Sequence, residues 1–464
     1  MKENKFKSSF GFLMAAIGSA VGIGNLWGFP YKMGENGGFA FLLCYIAIVA
    51  LVGFVVMTGE ITIGRRGGKG ALLSYRATGR NNAWIGYCGA ITTLLLGGFC
   101  CTLTAYCLRY ALANLGTLFK ASWGINGMDA MLYWDQFLEH GATAAVLTVL
   151  IALFCGFIVS KGVTNGIEKF CSVGMPMLFV MLIIITIRSV TLPGATEGLV
   201  YIFKPDWSVF EGSGWISVFA RAGGQAFFSL SLGQVVLITY GSYLDKHTSI
   251  EKSAFAICAA DSLVALLAGC AIFPAVFAFG QEPAGGTALL FGTMQSVFNS
   301  MGIMGAVFGT LFYLLAVLAE VTSVISLIET PVAFLTDAFE IKGKEVSRKK
   351  LIIAIVIVHS ITGAIVAFDA LGTGGLIQPF GFTWLDFFDL FAEGFLMPIG
   401  AFAMTILLGW KLPRTWMEEE ITLNGVKWKT QKFTMFCMRY VAPLLMLFIL
   451  AGQLDSFFNL GWFN

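Results

Sequence analysis

Long apolar stretches, separated by short polar segments, run along nearly the whole chain. A helix needs about 20 mostly apolar residues to cross the hydrocarbon core of a bilayer, and eleven stretches suit such a helix. The pattern therefore predicts an all-α integral membrane protein with eleven transmembrane helices in a single domain, residues 1–464. The predicted spans are 9–34, 38–63, 83–116, 143–160, 167–190, 215–241, 251–280, 302–338, 350–369, 383–410 and 432–458.

The basic residues are concentrated on one side of this arrangement. Most of the 29 lysines and arginines precede the first span or lie in the loops that follow even-numbered spans. Because cytoplasmic loops carry the excess of lysine and arginine, the amino terminus is predicted to be cytoplasmic and the carboxyl terminus external, in the plasma (inner) membrane. Trp462 and Phe463 are predicted to form an interfacial anchor. The opening MKENKFKSSFGF lacks a signal-peptide cleavage pattern, so we expect it to be retained.

Two predicted spans are interrupted by glycine at matching places, the first at Gly22-Ile23-Gly24 and the sixth at Ser231-Leu232-Gly233. Glycine in a membrane helix can serve close packing alone. Matching interruptions five helices apart instead favour two inverted repeats, each of which opens with a broken helix that lines a polar site. We therefore expect a binding site at Ser19–Asn25. The repeats would be 9–190, helices one to five, and 215–410, helices six to ten, followed by an eleventh helix, 432–458.

Composition excludes several other classes. Hydrophobic residues make up 57% of the chain and charged residues only 12%, about half the charged fraction of soluble proteins. The sequence contains no dense basic block of the kind that would indicate a nucleic-acid partner. The ten cysteines and three histidines show no metal-ligand spacing, and no nucleophile elbow, HExxH motif or phosphate loop occurs, so an enzyme is not expected.

Three long motifs occur in order along the chain: SAVGIGNLWGFP in the first span, GQAFFSLSLGQVVLITYGSY in the sixth and LAEVTSVISLIETP in the eighth. With the order of the helices, they make the chain resemble the neurotransmitter:sodium symporter family, and its bacterial branch in particular. The resemblance implies alternating access, in which sodium drives a small amino acid or amino-acid-like solute inward across the lipid bilayer. It leaves the oligomeric state open. A ligand-binding membrane sensor of the same fold, without transport, is an alternative.

The resemblance also implies two sodium sites made of oxygen ligands, which sodium prefers and which a broken helix supplies as free carbonyls. Thr322 and Ser323 could instead bond only the backbone of their own helix. The first site would consist of Ala20, Asn25, Ser229, Asp261 and the substrate carboxylate. The second would consist of Gly18, Val21, Ala319, Thr322 and Ser323.

Asp261 departs from the resemblance, which implies asparagine at this place in bacterial members. Animal relatives use a chloride ion near this position. We therefore expect ionised Asp261 to supply the negative charge, so that transport needs no chloride. A carboxylate at membrane depth can also titrate, which keeps proton-coupled transport as an alternative.

The expected substrate site surrounds the first break. Monoamine carriers of the family have an aspartate where this chain has Gly22, so glycine favours a substrate with its own carboxylate, held by the amides of Ile23 and Gly24. The tyrosine that the family places in helix three is missing from Gly98-Phe99-Cys100, and Phe99 could provide an aromatic lid instead. The expected walls are Ser19, Ala20, Gly22, Ile23, Gly24, Leu96, Phe99, Cys100, Phe228, Ser229, Ser231, Gln234, Ser323 and Leu327.

The gates of the family are altered as well. At the outer gate the family's arginine is replaced by Gly28, and we expect Lys32 to pair with Asp389. Lys32 could instead extend to the interface while Asp389 caps a helix.

Tyr243 and Asp337 resemble the inner gate, and its missing arginine would be replaced by a lysine of the amino terminus, Lys2 or Lys5. Glu60 is expected to brace the break in helix six. The resemblance also implies that Gly166 and Pro176 let helix five unwind, and Pro176 removes a backbone hydrogen bond in any case.

Overall fold

The computed structural model describes residues 5–212, 214–282, 286–458 and 460–462. Within these ranges the chain is almost entirely helical, and the extended backbone forms only an isolated bridge between Gly38 and Pro205. The predicted all-α class is confirmed.

Thirteen helical segments form the bundle. They are α1 Ser9–Ala20, α2 Gly24–Glu35, α3 Phe39–Gly67, α4 Arg80–Leu118, α5 Gly141–Ser160, α6 Val163–Val190, α7 Gly214–Ser229, α8 Val236–Ser242, α9 Ile250–Ala278, α10 Ile303–Ile341, α11 Arg348–Gly372, α12 Trp384–Lys411 and α13 Gln431–Asp455. Shorter helices connect them, among them Ala71–Ala77, Ala130–Glu139, Ala195–Phe203, Met294–Ser300 and Thr415–Ile421.

Nine of the described helices are long and apolar enough to cross a membrane, namely α3 to α6 and α9 to α13. The pair α1 and α2 forms a tenth candidate, bent by 55° at the break. The predicted sixth span is divided into α7, with 16 residues, and α8, with 7, neither of which reaches the length of a spanning helix. The count of eleven spans therefore stays a prediction.

The first helix begins where side chains replace its missing backbone partners. The Ser8 hydroxyl accepts from the amide of Gly11 at 2.9 Å, as an N-cap. The carboxylate of Glu168, on α6, accepts from the amides of Lys7 at 2.7 Å and Ser8 at 3.1 Å. These contacts tie the start of α1 to α6.

Close helix packing depends on glycine where α3 meets α8. A Cβ atom added at Gly64 would overlap the carbonyl oxygen of Ile238, whereas one added at Gly269, on α9, would find only Ile202 Cγ2 at 3.9 Å. Small residues at such contacts let membrane helices approach closely.

We expect Gly64→Ala to lower the stability of the bundle by about 1–3 kcal/mol, because the added methyl group must push α3 and α8 apart. Gly269→Ala is the matched control and should be neutral or stabilise by about 0.4–1 kcal/mol, since it has room and lowers chain entropy. Thermal unfolding in detergent measures both variants. Equal melting temperatures would contradict the assigned contact between α3 and α8.

Candidate functional site

A small cavity of about 30 Å³ lies beside the two helix breaks. Helices α1, α2, α4, α7 and α10 contribute to its wall, together with the break between α7 and α8. The lining residues are Ser19, Ala20, Gly22, Gly24, Asn25, Leu96, Cys100, Phe228, Ser229, Ser231, Gln234, Glu320, Ser323, Ser326 and Leu327.

This lining contains all of the predicted substrate walls except two. Ile23 and Phe99 are buried, at 2% and 3% exposure, but neither lines the cavity. Cys100, one residue after Phe99, does line it. The structure therefore does not support Phe99 as an aromatic lid, because the face of α4 that meets the cavity carries Leu96 and Cys100, one helical turn apart. Substrate binding by these residues stays a prediction.

The first break begins at Val21, whose backbone leaves the helical region with φ −77° and ψ 109°. The amide of Gly22 then donates to the side-chain oxygen of Asn25 at 3.0 Å. A Cβ atom at Gly22 would lie only 3.0 Å from Glu320 Oε1. Glycine at this position leaves room for a carboxylate from α10, which an added methyl group would have to displace by a few tenths of an ångström.

The second break is made by three left-handed residues, Ser231, Gly233 and Val235, with φ of 53°, 78° and 53°. Such a conformation is costly for serine and valine, so neighbouring contacts must hold it. The carboxylate of Glu60 accepts from the amide of Gly233 at 2.8 Å, which is the contact expected of a brace. The Ser231 hydroxyl donates to the carbonyl of Ser19 at 2.9 Å and joins the two breaks.

Three side chains of the predicted first sodium site form one buried network. The Asn25 amide donates to Ser229 Oγ and to Asp261 Oδ1, each at 2.8 Å, and the Ser229 hydroxyl donates to Asp261. Tyr45, which the sequence did not single out, donates to Asp261 Oδ2 at 3.0 Å. Ala20 lines the adjoining cavity. The structure thus brings the predicted ligands together, and sodium binding there stays a prediction.

The predicted second site also forms a cluster, between α1 and α10. Ser323 Oγ lies 3.3 Å from the carbonyl oxygen of Gly18 and 3.5 Å from that of Val21. The Thr322 hydroxyl donates to the carbonyl of Ala319 at 2.8 Å, so the alternative of a bond within its own helix is present in this structure. Hydroxyl and carbonyl oxygens from two helices nevertheless meet at this point.

Glu320, like Ser326, lines the cavity and was not predicted from the sequence. Its Oε1 accepts from the amide of Ile23 at 2.6 Å, and Cys100 lines the same cavity. The Ile23 amide, which was expected to hold a substrate carboxylate, already has an acceptor from the protein in this structure, and its role toward a substrate stays a prediction. The available signal was the motif LAEVTS, which carries this acid beside the predicted sodium ligands.

The outer gate residues lie at a second cavity of about 260 Å³, lined by Lys32, Asp389, Arg221 and Glu393 among others. Among the described residues, no ion pair within 4.0 Å joins Lys32 to Asp389, so their pairing stays a prediction. The alternative role of Asp389 as a helix cap is wrong. Thr383 caps α12, its hydroxyl accepting from the amide of Asp386 at 3.1 Å.

Tyr243 and Asp337 belong to two separate contacts. The carboxylate of Asp337 accepts from the amides of Gly70 and Leu73, at 3.1 and 3.0 Å, and so caps the helix Ala71–Ala77. The Tyr243 hydroxyl donates to Glu329 at 2.7 Å.

The carboxylate of Glu329 also pairs with Arg348, at the start of α11. The arginine beside Tyr243 therefore comes from α11, whereas a lysine of the amino terminus was expected. Lys2, one of the two expected lysines, lies outside the described residues.

Helix five is continuous over Val163–Val190 in this structure, and its ability to unwind stays a prediction. Pro176 lies inside it. A Cβ atom at Gly166 would overlap the carbonyl oxygen of Ile158, so glycine is required there for close packing in this conformation.

The chain matches the model of the sodium:neurotransmitter symporter family over residues 3–124 and 128–463. It is 34% identical to the sodium-dependent transporter YhdH of Bacillus subtilis over 459 residues, 97% of each chain. It is 23% identical to the sodium- and chloride-dependent GABA transporter 2 of Rattus norvegicus over 493 residues, covering 96% of this chain and 79% of that protein. Among solved structures, MhsT in complex with L-phenylalanine is similar, with a TM-score of 0.86, 33% identity and coverage of 97% and 99%. Two broken helices that meet at a polar cavity and a match over almost the whole length lead to one conclusion: this chain is a membrane transporter of the sodium:neurotransmitter symporter family.

Proposed function

We propose that the protein imports a small amino acid or amino-acid-like solute by sodium-coupled symport, through alternate opening of the cavity beside the two breaks. The observation that carries this proposal is the meeting of the Ser323 hydroxyl with two carbonyl oxygens of the broken α1. Uncharged oxygens from an intact and a broken helix suit a small hard cation. Crystallised MhsT holds L-phenylalanine, which supports an amino-acid-like solute.

The proposed topology counts α1 with α2, and α7 with α8, as one broken span each, which gives eleven. The inverted repeats 9–190 and 215–410 and the additional helix 432–458 belong to this proposal. The excess of lysine and arginine on one side supports a cytoplasmic amino terminus in the plasma (inner) membrane.

We expect Ser323→Ala to raise the sodium concentration for half-maximal uptake at least about tenfold, because a lost oxygen ligand weakens binding by about 1.4 kcal/mol or more. Thr322→Val should act in the same direction. Thr336→Val is the matched control on α10, since its hydroxyl donates to the carbonyl of Val332 outside the proposed site. Uptake into proteoliposomes at varied sodium measures the effect.

Unchanged sodium dependence in Ser323→Ala would contradict the second sodium site. Uptake driven by a proton gradient without sodium would favour proton coupling instead. Solute counterflow separates a transporter from a membrane sensor of the same fold, because a sensor binds the solute and does not exchange it.

We further propose that Asp261 makes transport independent of chloride. Its side chain is fully buried and receives hydrogen bonds from Asn25, Ser229 and Tyr45. A carboxylate held in this way places a fixed negative charge beside the first sodium site. A mobile anion is then not needed to balance the ion.

Replacement of chloride by gluconate should leave uptake by the unaltered protein unchanged. In Asp261→Asn, uptake in gluconate should fall at least about tenfold and recover when chloride is restored, because the buried charge is lost. Tyr45→Phe is the control that removes a donor and no charge, and it should remain independent of chloride. Loss of uptake by the unaltered protein in gluconate would refute the proposal.

The contact of Arg348, Glu329 and Tyr243 is proposed to close the cytoplasmic end of the bundle. It joins α10, α11 and the end of α8, and the Tyr243 carbonyl accepts from the amide of Phe6 at 3.1 Å. The ring of Phe6 packs edge-on against Tyr240 at 5.7 Å between centroids. The start of α1 is thereby linked to a buried ion pair.

We expect Arg348→Met to speed amide hydrogen exchange in Ser9–Ala20 at least about tenfold, because Glu329, with 0% exposure, loses its charged partner. Arg66→Met is the control, since it breaks an exposed pair with Glu419 and should change little. Exchange measured by mass spectrometry in detergent compares the two. Equal exchange in both variants would argue against a gate at this contact.

A further inference from the structure

A carboxylate of the protein lies where the first break exposes its backbone. Glu320 Oε1 accepts from the Ile23 amide at 2.6 Å, and the side chain is only 3% exposed. A backbone amide at a broken helix is a natural partner for an anion. In this chain the Glu320 carboxylate is that anion, so a solute carboxylate would have to displace it from the Ile23 amide.

Among the described residues, nothing donates a hydrogen bond to the second oxygen of this carboxylate. Glu320 Oε2 is buried, and Glu320 lines the cavity. An unpaired charged oxygen inside a protein is costly unless a donor or cation meets it. A bound group that donates hydrogen bonds and carries positive charge would satisfy it.

The rest of the cavity is consistent with a cationic solute. Glu320 is the one charged side chain in the described lining of the cavity. This lining contains no lysine or arginine that could hold an anion. A second carboxylate placed beside Glu320 would meet like charge in a low-dielectric site. Leu96, Phe228 and Leu327 provide apolar surface for the remainder of the solute.

The neighbours of Glu320 indicate a fixed position. Gly22 leaves room for the carboxylate, since a Cβ atom would lie 3.0 Å from Oε1. Cys100, on α4, lines the same cavity as Glu320. The backbone of the first break thus holds the carboxylate of α10 in place.

We propose that the Glu320 carboxylate takes the place of a solute carboxylate at the first break, and that the transported solute is a small primary amine without an α-carboxylate. This inference rests on the proposed sodium-coupled symport and specifies the solute as the decarboxylated counterpart of an amino acid. The ammonium group of the solute donates to Glu320 Oε2, and its apolar part packs against Leu96, Phe228 and Leu327.

Matched pairs of amino acid and decarboxylated amine test the inference: alanine with ethylamine, leucine with 3-methylbutylamine, and phenylalanine with phenethylamine. Thermal stabilisation of the purified full-length protein is measured at saturating sodium. In at least one pair the amine should bind at least tenfold more tightly than the amino acid, and 3-phenylpropionate should not bind. A wild-type preference for the amino acids would overturn the inference.

Two variants make the test independent of folding. Glu320→Ala should weaken amine binding at least tenfold. It should strengthen binding of the matching amino acid at least tenfold, because the carboxylate of the amino acid can now reach the Ile23 amide. A gain of affinity cannot come from a misfolded protein. Glu320→Gln should lose the amine without this gain. Glu340→Gln is the control, an exposed acid on the same helix that pairs with Lys69.

The outcomes separate the two levels of the proposal. If no compound binds in a sodium-dependent way, the proposed symport itself fails. If sodium-dependent binding occurs and Glu320→Ala does not shift the preference toward amino acids, only the inference fails. If Glu320→Gln weakens stabilisation by sodium without any solute, Glu320 is a sodium ligand and the inference is overturned.

Discussion

A backbone group freed inside a membrane must find a partner within the protein, and this constraint shapes the centre of the bundle. The two breaks expose amides and carbonyls at a depth where lipid offers no hydrogen bonds. Glu60 accepts from the Gly233 amide and Glu320 from the Ile23 amide. Each break is therefore supported by a buried carboxylate from a neighbouring helix.

The same constraint explains why so polar a cavity can exist among apolar helices. Ser231 bonds to the Ser19 carbonyl, so the breaks stabilise each other as well as receiving support from their neighbours. A cluster of oxygens remains on the side of α1 that faces α10, where Ser323 approaches Gly18. Groups that maintain the broken helices and groups proposed to bind sodium are consequently adjacent, which couples ion binding to the shape of α1.

Buried charge is distributed unevenly along the bundle. Glu320 and Asp261 lie at its centre without an ion pair to a basic residue among the described contacts, whereas Glu329 pairs with Arg348 nearer one end. A site with fixed negative charge at its centre favours cations from solution. This electrostatic arrangement supports both the sodium sites and the cationic solute proposed above. The negative charge at the site then belongs to the protein and not to a carboxylate of the solute.

Much of this architecture could be predicted from the sequence, because apolar length and glycine interruptions are local properties of a chain in a membrane. They predicted the helical class, the interruptions at Gly22–Gly24 and Ser231–Gly233, and a site around Ser19 and Asn25, which line the cavity, whereas Ser323 was implied by the resemblance to the family. Only the tertiary structure decided which side chains form hydrogen bonds with the backbone amides and carbonyls at the two breaks. Ile23 and Glu320 are 297 positions apart in the chain, and no local pattern shows that an acid on α10 accepts from an amide of the first break. Long-range packing likewise left Phe99 out of the cavity lining and supplied Arg348 where a lysine of the amino terminus was expected.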